Sequence, residues 1–122
     1  MRPHFRFEDL EIWQLARTIA VDLHHLAEEL ESRKYYRYAE QLRAAALSVP
    51  NNIAEGAGSL HAAEFRQFLN ISEGSAGEVK SMYYIAEDQK IVSSETALDR
   101  RNKAQRLIKS RSSFMKYLKP NK

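Results

Sequence analysis

A chain of 122 residues is long enough for one domain with a buried core, and 43% apolar against 29% charged residues excludes both a disordered and a membrane composition. With no cysteine there is no disulfide scaffold, no thiolate nucleophile and no Cys-based zinc site. The formal charge of +3 conceals an asymmetry: 10 Lys/Arg face 14 Asp/Glu through residue 93, and 9 face 2 from residue 94 on, which suggests an anionic partner or a solvated tail.

No apolar run approaches the roughly 20 residues of a membrane span, and MRPHFRFEDLEIW lacks the apolar core of a signal peptide. The expectation is a cytoplasmic protein with no membrane contact, folded as a single domain over 1–122. All the periodicity is helical. The first helix is expected from Asp9 to Leu30, where Ile12, Trp13, Ala16, Ile19, Leu23, Leu26 and Leu30 form one stripe. Glu8 or Asp9 suits the positive end of its dipole. ESRKYYR then holds a turn, and a second helix begins near Tyr36.

Within that second helix, SVPNNIAEGAGS (48–59) mixes helix breakers with apolar residues. The phase decides its reading. Tyr38, Leu42, Ala45, Ala46, Val49, Ile53 and Gly56 stay on one face at about 100° per residue, so Pro50 lies inside the helix and is expected to kink it. Gly56 and Gly58 are expected to stop it. Ser48, Asn52 and Glu55 form a polar ridge, read as a hydrogen-bonded network that fixes register and caps the carbonyl freed by Pro50. A binding or catalytic carboxylate is the alternative, but a lone Glu lacks a chemical partner.

The third helix, from near His61, carries two stripes. Phe65, Phe68, Leu69, Ser72, Ala76, Val79, Tyr83 and Ala86 suit a bundle core, whereas Ile71, Met82 and Ile85 share a second stripe with Ser75 and Glu78. A second apolar stripe implies self-association through Ile71, Met82 and Ile85. Gly74 and Gly77 border it, each costing about 1 kcal/mol relative to Ala inside a helix, as a close approach of another backbone would explain. The fourth helix, about 94–119, starts at a Ser93 or Ser94 cap with Glu95 in its first turn. Arg106, Lys109 and Lys116 lie opposite its core stripe, and Arg100, Arg101 and Lys103 add charge near its start. This is a candidate contact for a nucleic-acid backbone without sequence specificity. Arg111 falls in the apolar stripe, to snorkel or to pair with Glu55 or Glu78.

Four amphipathic helices with short connections give an all-α, antiparallel up-down-up-down four-helix bundle. Di-iron bundles need Glu-x-x-His, and this chain has only Asp22-x-x-His25, with His25 off the apolar stripe. No metal or other cofactor is expected. There is no phosphate-binding glycine loop, nucleophile elbow or Ser-His-carboxylate set, so an enzyme is not expected.

Three blocks, FEDLEIWQLA, QLRAAALSVPNNIAEGAGS and EFRQFLNISEGSAGEVKSMYYIAED, resemble in order the four-helix-bundle proteins encoded in 23S ribosomal-RNA intervening sequences. That family includes, or lies close to, the accessory variability determinant proteins of diversity-generating retroelements. The likeness spans about residues 5–92 and rests on Asn52, Ile53, Ala54, Glu55 and Gly56, then Glu64, Phe65, Phe68, Leu69, Gly74, Ser75 and Glu78. It implies an antiparallel bundle, a ring-shaped homopentamer and a non-enzymatic role, with RNA or DNA, or in the retroelement branch a reverse transcriptase, as partner. It brings no catalytic residues. The expectation is an oligomeric helical protein that binds nucleic-acid backbone; the alternative is a protein-binding accessory or scaffold factor.

Overall fold

The computed structural model describes residues 6–118. Residue 119 at the expected end of the basic helix, Lys119 and Lys122 of the basic segment, and both ends of the expected 1–122 domain lie outside the described residues. A 3-10 turn, Phe7–Asp9, leads into four helices: α1 Glu11–Ser32, α2 Tyr36–Ala57, α3 Ala62–Asp88 and α4 Ser94–Tyr117. Helix α1 thus starts two residues later than expected. The turn takes up Glu8 and Asp9, leaving Glu11 as the acid of the first helical turn.

Each helix packs against two others, α1 on α2, α2 on α3, α3 on α4 and α4 on α1, while among the described residues the diagonal backbones, α1 to α3 and α2 to α4, stay more than 8 Å apart between Cα atoms. The centre is filled by the expected stripes, including Leu23 and Leu30 of α1, Leu42, Val49 and Ile53 of α2, Phe65, Leu69 and Tyr83 of α3, and Leu107 of α4. Side-chain interdigitation between the four stripes is what makes otherwise marginal isolated helices stable. Among the described residues no helix is long and apolar enough to cross a membrane.

Helix α2 continues through Pro50, which is itself buried. The expected glycine stop is corrected in part. Gly56 is an interior, buried helical residue, and the helix ends one residue later with Gly58 in a right-handed conformation, so neither supplies a left-handed cap. The left-handed positions are lysines. Lys34 at the end of α1 and Lys90 at the end of α3 have φ of 70° and 59°. In each case the following N–H reaches back to close the last turn, Tyr35 to the Leu30 carbonyl and Ile91 to the Ala86 carbonyl, both at 2.9 Å. A side chain in this conformation is strained by roughly 1–2 kcal/mol, partly offset by the greater unfolded-state freedom of glycine. Lys34→Gly and Lys90→Gly are each expected to raise the thermal midpoint by a few degrees; a lowered midpoint would show that the lysine side chains stabilise these ends by other contacts.

Candidate functional site

Along the α2–α3 seam, small residues let polar side chains bond across the helices. Ser48 Oγ and Ser75 Oγ share a hydrogen bond of 2.8 Å. Asn52 Nδ2 donates to the Ser48 carbonyl at 2.8 Å and to its hydroxyl at 3.0 Å. Fully buried Ser72 donates to the Val49 carbonyl at 2.9 Å. The expected network is therefore present with different members. Glu55 is exposed on the solvent side of the ridge. Ser75, assigned by sequence to the outer stripe, is only 7% exposed and faces α2. The donors reach the carbonyls of Ser48 and Val49, not that of Ala46, the one freed four residues before Pro50. Ser72 was placed by its period in the core stripe, and nothing in the sequence distinguished a buried donor there from a packing residue.

Of the expected second stripe of α3, Ser75 turns into the seam and Met82 packs partly against the core, while Ile71, Ile85 and Glu78 lie open. Ile71 is 48% and Ile85 46% exposed, large values for isoleucine. Met82 is half-buried and Glu78 exposed. An open groove of about 400 Å³ separates α2 from α3 there, lined by Tyr38, Gln41, Glu78, Ser81, Met82 and Ile85. A Cβ built on Gly74 or Gly77 would meet no atom within 4 Å. Nothing inside the protomer requires glycine at either position.

The six α4 cations expected at the interface divide into two sets. At its N-terminal half, Lys103 Nζ lies 2.9 Å and Arg100 Nε 3.4 Å from the carboxylate of Asp22 on α1. Arg100 also binds Asp99, which Lys103 approaches at 3.4 Å. Arg101 bonds Glu87 of α3 at 2.8 Å and lies 4.0 Å over the Tyr84 ring. Hydrogen bonds from Arg101 to Glu87 and from Arg100 to Asp99 hold both carboxyls below their ordinary range. Beside this cluster the Tyr83 hydroxyl is buried with no well-formed hydrogen bond among the described residues, and burial, with the Asp22 charge, outweighs nearby Arg100 and pushes its pKa far up. In contrast, Arg106, Lys109 and Lys116 are exposed, and no ion pair engages them among the described residues. They follow one another along the outer side of α4 over about 15 Å of helix.

Among the described residues, no three His, Asp or Glu side chains gather as a metal site would need.

Over residues 8–113 the chain matches the family described as 23S rRNA-intervening sequence protein. The chain belongs to that family. No curated protein matches it. The blocks that carry the likeness occupy distinct places in this 23S rRNA-intervening sequence protein. Gly56 sits under Phe65 and Phe68, Ser75 in the α2–α3 seam, and Gly74 and Glu78 on the open face of α3.

Arg111 of this family member pairs with Glu73, not with Glu55 or Glu78 as expected. Only 14% of the Arg111 side chain is exposed, against 35% for Glu73, and Arg111 Nε is buried without a partner among the described residues. Removing either partner is therefore unequal. Glu73→Ala leaves a mostly buried guanidinium without its carboxylate and is expected to cost about 2–3 kcal/mol, near the lower range for breaking a buried pair. Arg111→Met leaves a carboxylate that can be solvated and an apolar replacement in an apolar stripe, and should cost about 1 kcal/mol or less. Denaturant titration of both variants checks the order; equal losses would mean that the two charges are equally solvated.

Proposed function

We propose that this protein is a non-enzymatic, self-associating helical bundle that holds an RNA or DNA backbone against the outer row of α4. The observation that carries the proposal is the division of the α4 cations. Arg100, Arg101 and Lys103 already have carboxylate partners, so a phosphate must compete for them. Arg106, Lys109 and Lys116 meet no such competition among the described residues, and their exposed charges suit condensed-counterion release. The proposed interface is thus narrower than the six residues expected from sequence.

Self-association is proposed through Ile71, Met82 and Ile85. The exposure of Ile71 and Ile85, and the open space over Gly74 and Gly77, support a second copy lying against α3. A ring of five is the assembly that the family resemblance implies. Along α2, Tyr38 meets Met82 and Ser48 meets Ser75, so rising numbers on α2 face falling numbers on α3, which supports reading these two helices as antiparallel. Repeating the α4 row on each copy would raise the effective concentration of contacts for one strand.

The test is fluorescence anisotropy with labelled RNA and DNA at about 50 mM and about 200 mM salt. Arg106→Glu/Lys109→Glu/Lys116→Glu is expected to weaken binding by about 100-fold or more at the lower salt with the helical circular-dichroism signal unchanged. Binding that survives the triple reversal overturns the assignment of the row. A wild type that binds no nucleic acid overturns the proposal and leaves the row to an acidic protein surface, such as that of a polymerase partner.

A further inference from the structure

Both left-handed lysines lie at one end of the bundle. The Tyr38 hydroxyl, near the start of α2, donates to the Met82 carbonyl, near the end of α3, at 3.4 Å. The α1–α2 and α3–α4 turns therefore emerge at the same end, carrying Lys34 and Lys90 with φ of 70° and 59°. Both lysines are exposed, so packing within the protomer does not offset their backbone strain. Strain kept at a side chain where glycine would relieve it points to a role for that side chain.

The same end presents two neighbouring rings. Tyr35 and Tyr36 are 55% and 57% exposed, and no ring, cation or hydrogen-bond partner holds either side chain among the described residues. Lys34 and Arg37 flank them in sequence, both exposed. The nearest carboxylates along the chain are engaged elsewhere, Glu29 by Arg33 at 2.9 Å and Glu31 by Arg43 at 3.0 Å. No ion pair engages Lys34, Arg37 or Lys90 among the described residues. Asp88 and Glu95, exposed beside the α3–α4 turn, shift the positive charge of this end toward the α1–α2 turn.

We propose that this end holds an unpaired stretch of nucleic acid, with bases against Tyr35 and Tyr36 and phosphates on Lys34, Arg37 and Lys90. The inference rests on the nucleic-acid reading of α4 and adds a second contact and the form of strand it takes. Cations alone accept duplex and single strand alike, because both present phosphates. Exposed rings interleaved with cations separate the two, because paired bases are stacked on one another and only an unpaired base offers its face. Arg106 lies about 18 Å along α4 from the start of that helix at this end. A dozen positions at about 3.4 Å each cover about 40 Å, so one strand is long enough to meet both the row and the rings.

Anisotropy titrations of the full chain with labelled oligo(U) of about a dozen positions, and with an RNA duplex of the same length, test this. Tyr35→Ala/Tyr36→Ala is expected to weaken oligo(U) binding about 10-fold or more and to leave duplex binding and the salt slope where they were. Tyr35→Phe/Tyr36→Phe keeps the rings and the affinity, whereas Tyr35→Leu/Tyr36→Leu keeps apolar bulk and loses it, which separates stacking from folding. Lys34→Gly/Lys90→Gly is expected to flatten the oligo(U) salt slope by about 1.4 while the thermal midpoint rises. Weaker binding by a more stable protein is a combination that a structural role for the lysines does not give. Single-strand affinity unmoved by the Ala and Leu variants, while charge reversal of the α4 row still weakens it, overturns this contact alone. Equal losses for duplex and single strand overturn it too, and an unchanged slope in the glycine variant removes the two lysines from it. Absence of binding to both probes overturns the nucleic-acid reading itself and leaves the rings to a protein surface.

Discussion

Gly56→Val is expected to lower the unfolding free energy by about 3 kcal/mol, and Gly56→Ala by about 1–2, the cost of overpacking a dense core. A Cβ at this position would stand 2.7 Å from Phe65 Cδ1 and 3.0 Å from Phe68 Cβ. Neither neighbour yields cheaply. Phe65 is fully buried and packed edge-on against Phe114, and Phe68 Cβ moves only with its backbone. Helix propensity works the other way, favouring Ala over Gly by about 1 kcal/mol, so the alanine variant measures the difference between the two effects. Thermal or urea unfolding reads the result. A Gly56→Ala protein more stable than wild type would show that α3 can move away and that close α2–α3 packing is not fixed here.

The second large effect is on assembly. Light scattering is expected to give a wild-type mass several times that of one chain and an Ile71→Glu/Ile85→Glu mass equal to one chain. Both isoleucines are about half exposed in the protomer, 48% and 46%, so the substitutions should change protomer stability by only about 0.5 kcal/mol. In an interface the same glutamates would lie desolvated against an apolar surface, where an unpaired charge costs several kcal/mol. A wild type that is monomeric at tens of micromolar, or a double variant that still assembles, would remove α3 from the contact.

Much of the fold was legible because helical period is a local property. The four stripes, the turn at ESRKYYR and the continuation of α2 through Pro50 all follow from spacing alone. What spacing does not carry is which partner a residue meets. Gly56 looked like a terminator because glycine ends helices more often than it relieves a ring contact from another helix. Ser75 sat on the border between two stripes, and only the approach of Ser48 puts it in the seam. Glu73, flanked by Ser72 and Gly74, gave no sign that it faces Arg111. The α4 cations formed one basic segment in sequence, but two acids on other helices, Asp22 and Glu87, take the N-terminal half and leave Arg106, Lys109 and Lys116.

The central claim is that these three cations meet phosphate, and the slope of log affinity against log salt for a single-stranded oligonucleotide tests it most directly. Three contacts at about 0.7 each give a slope of about −2 or steeper, and Arg106→Gln/Lys109→Gln/Lys116→Gln brings it toward zero. An affinity indifferent to salt, or a slope that the triple variant leaves in place, would contradict it.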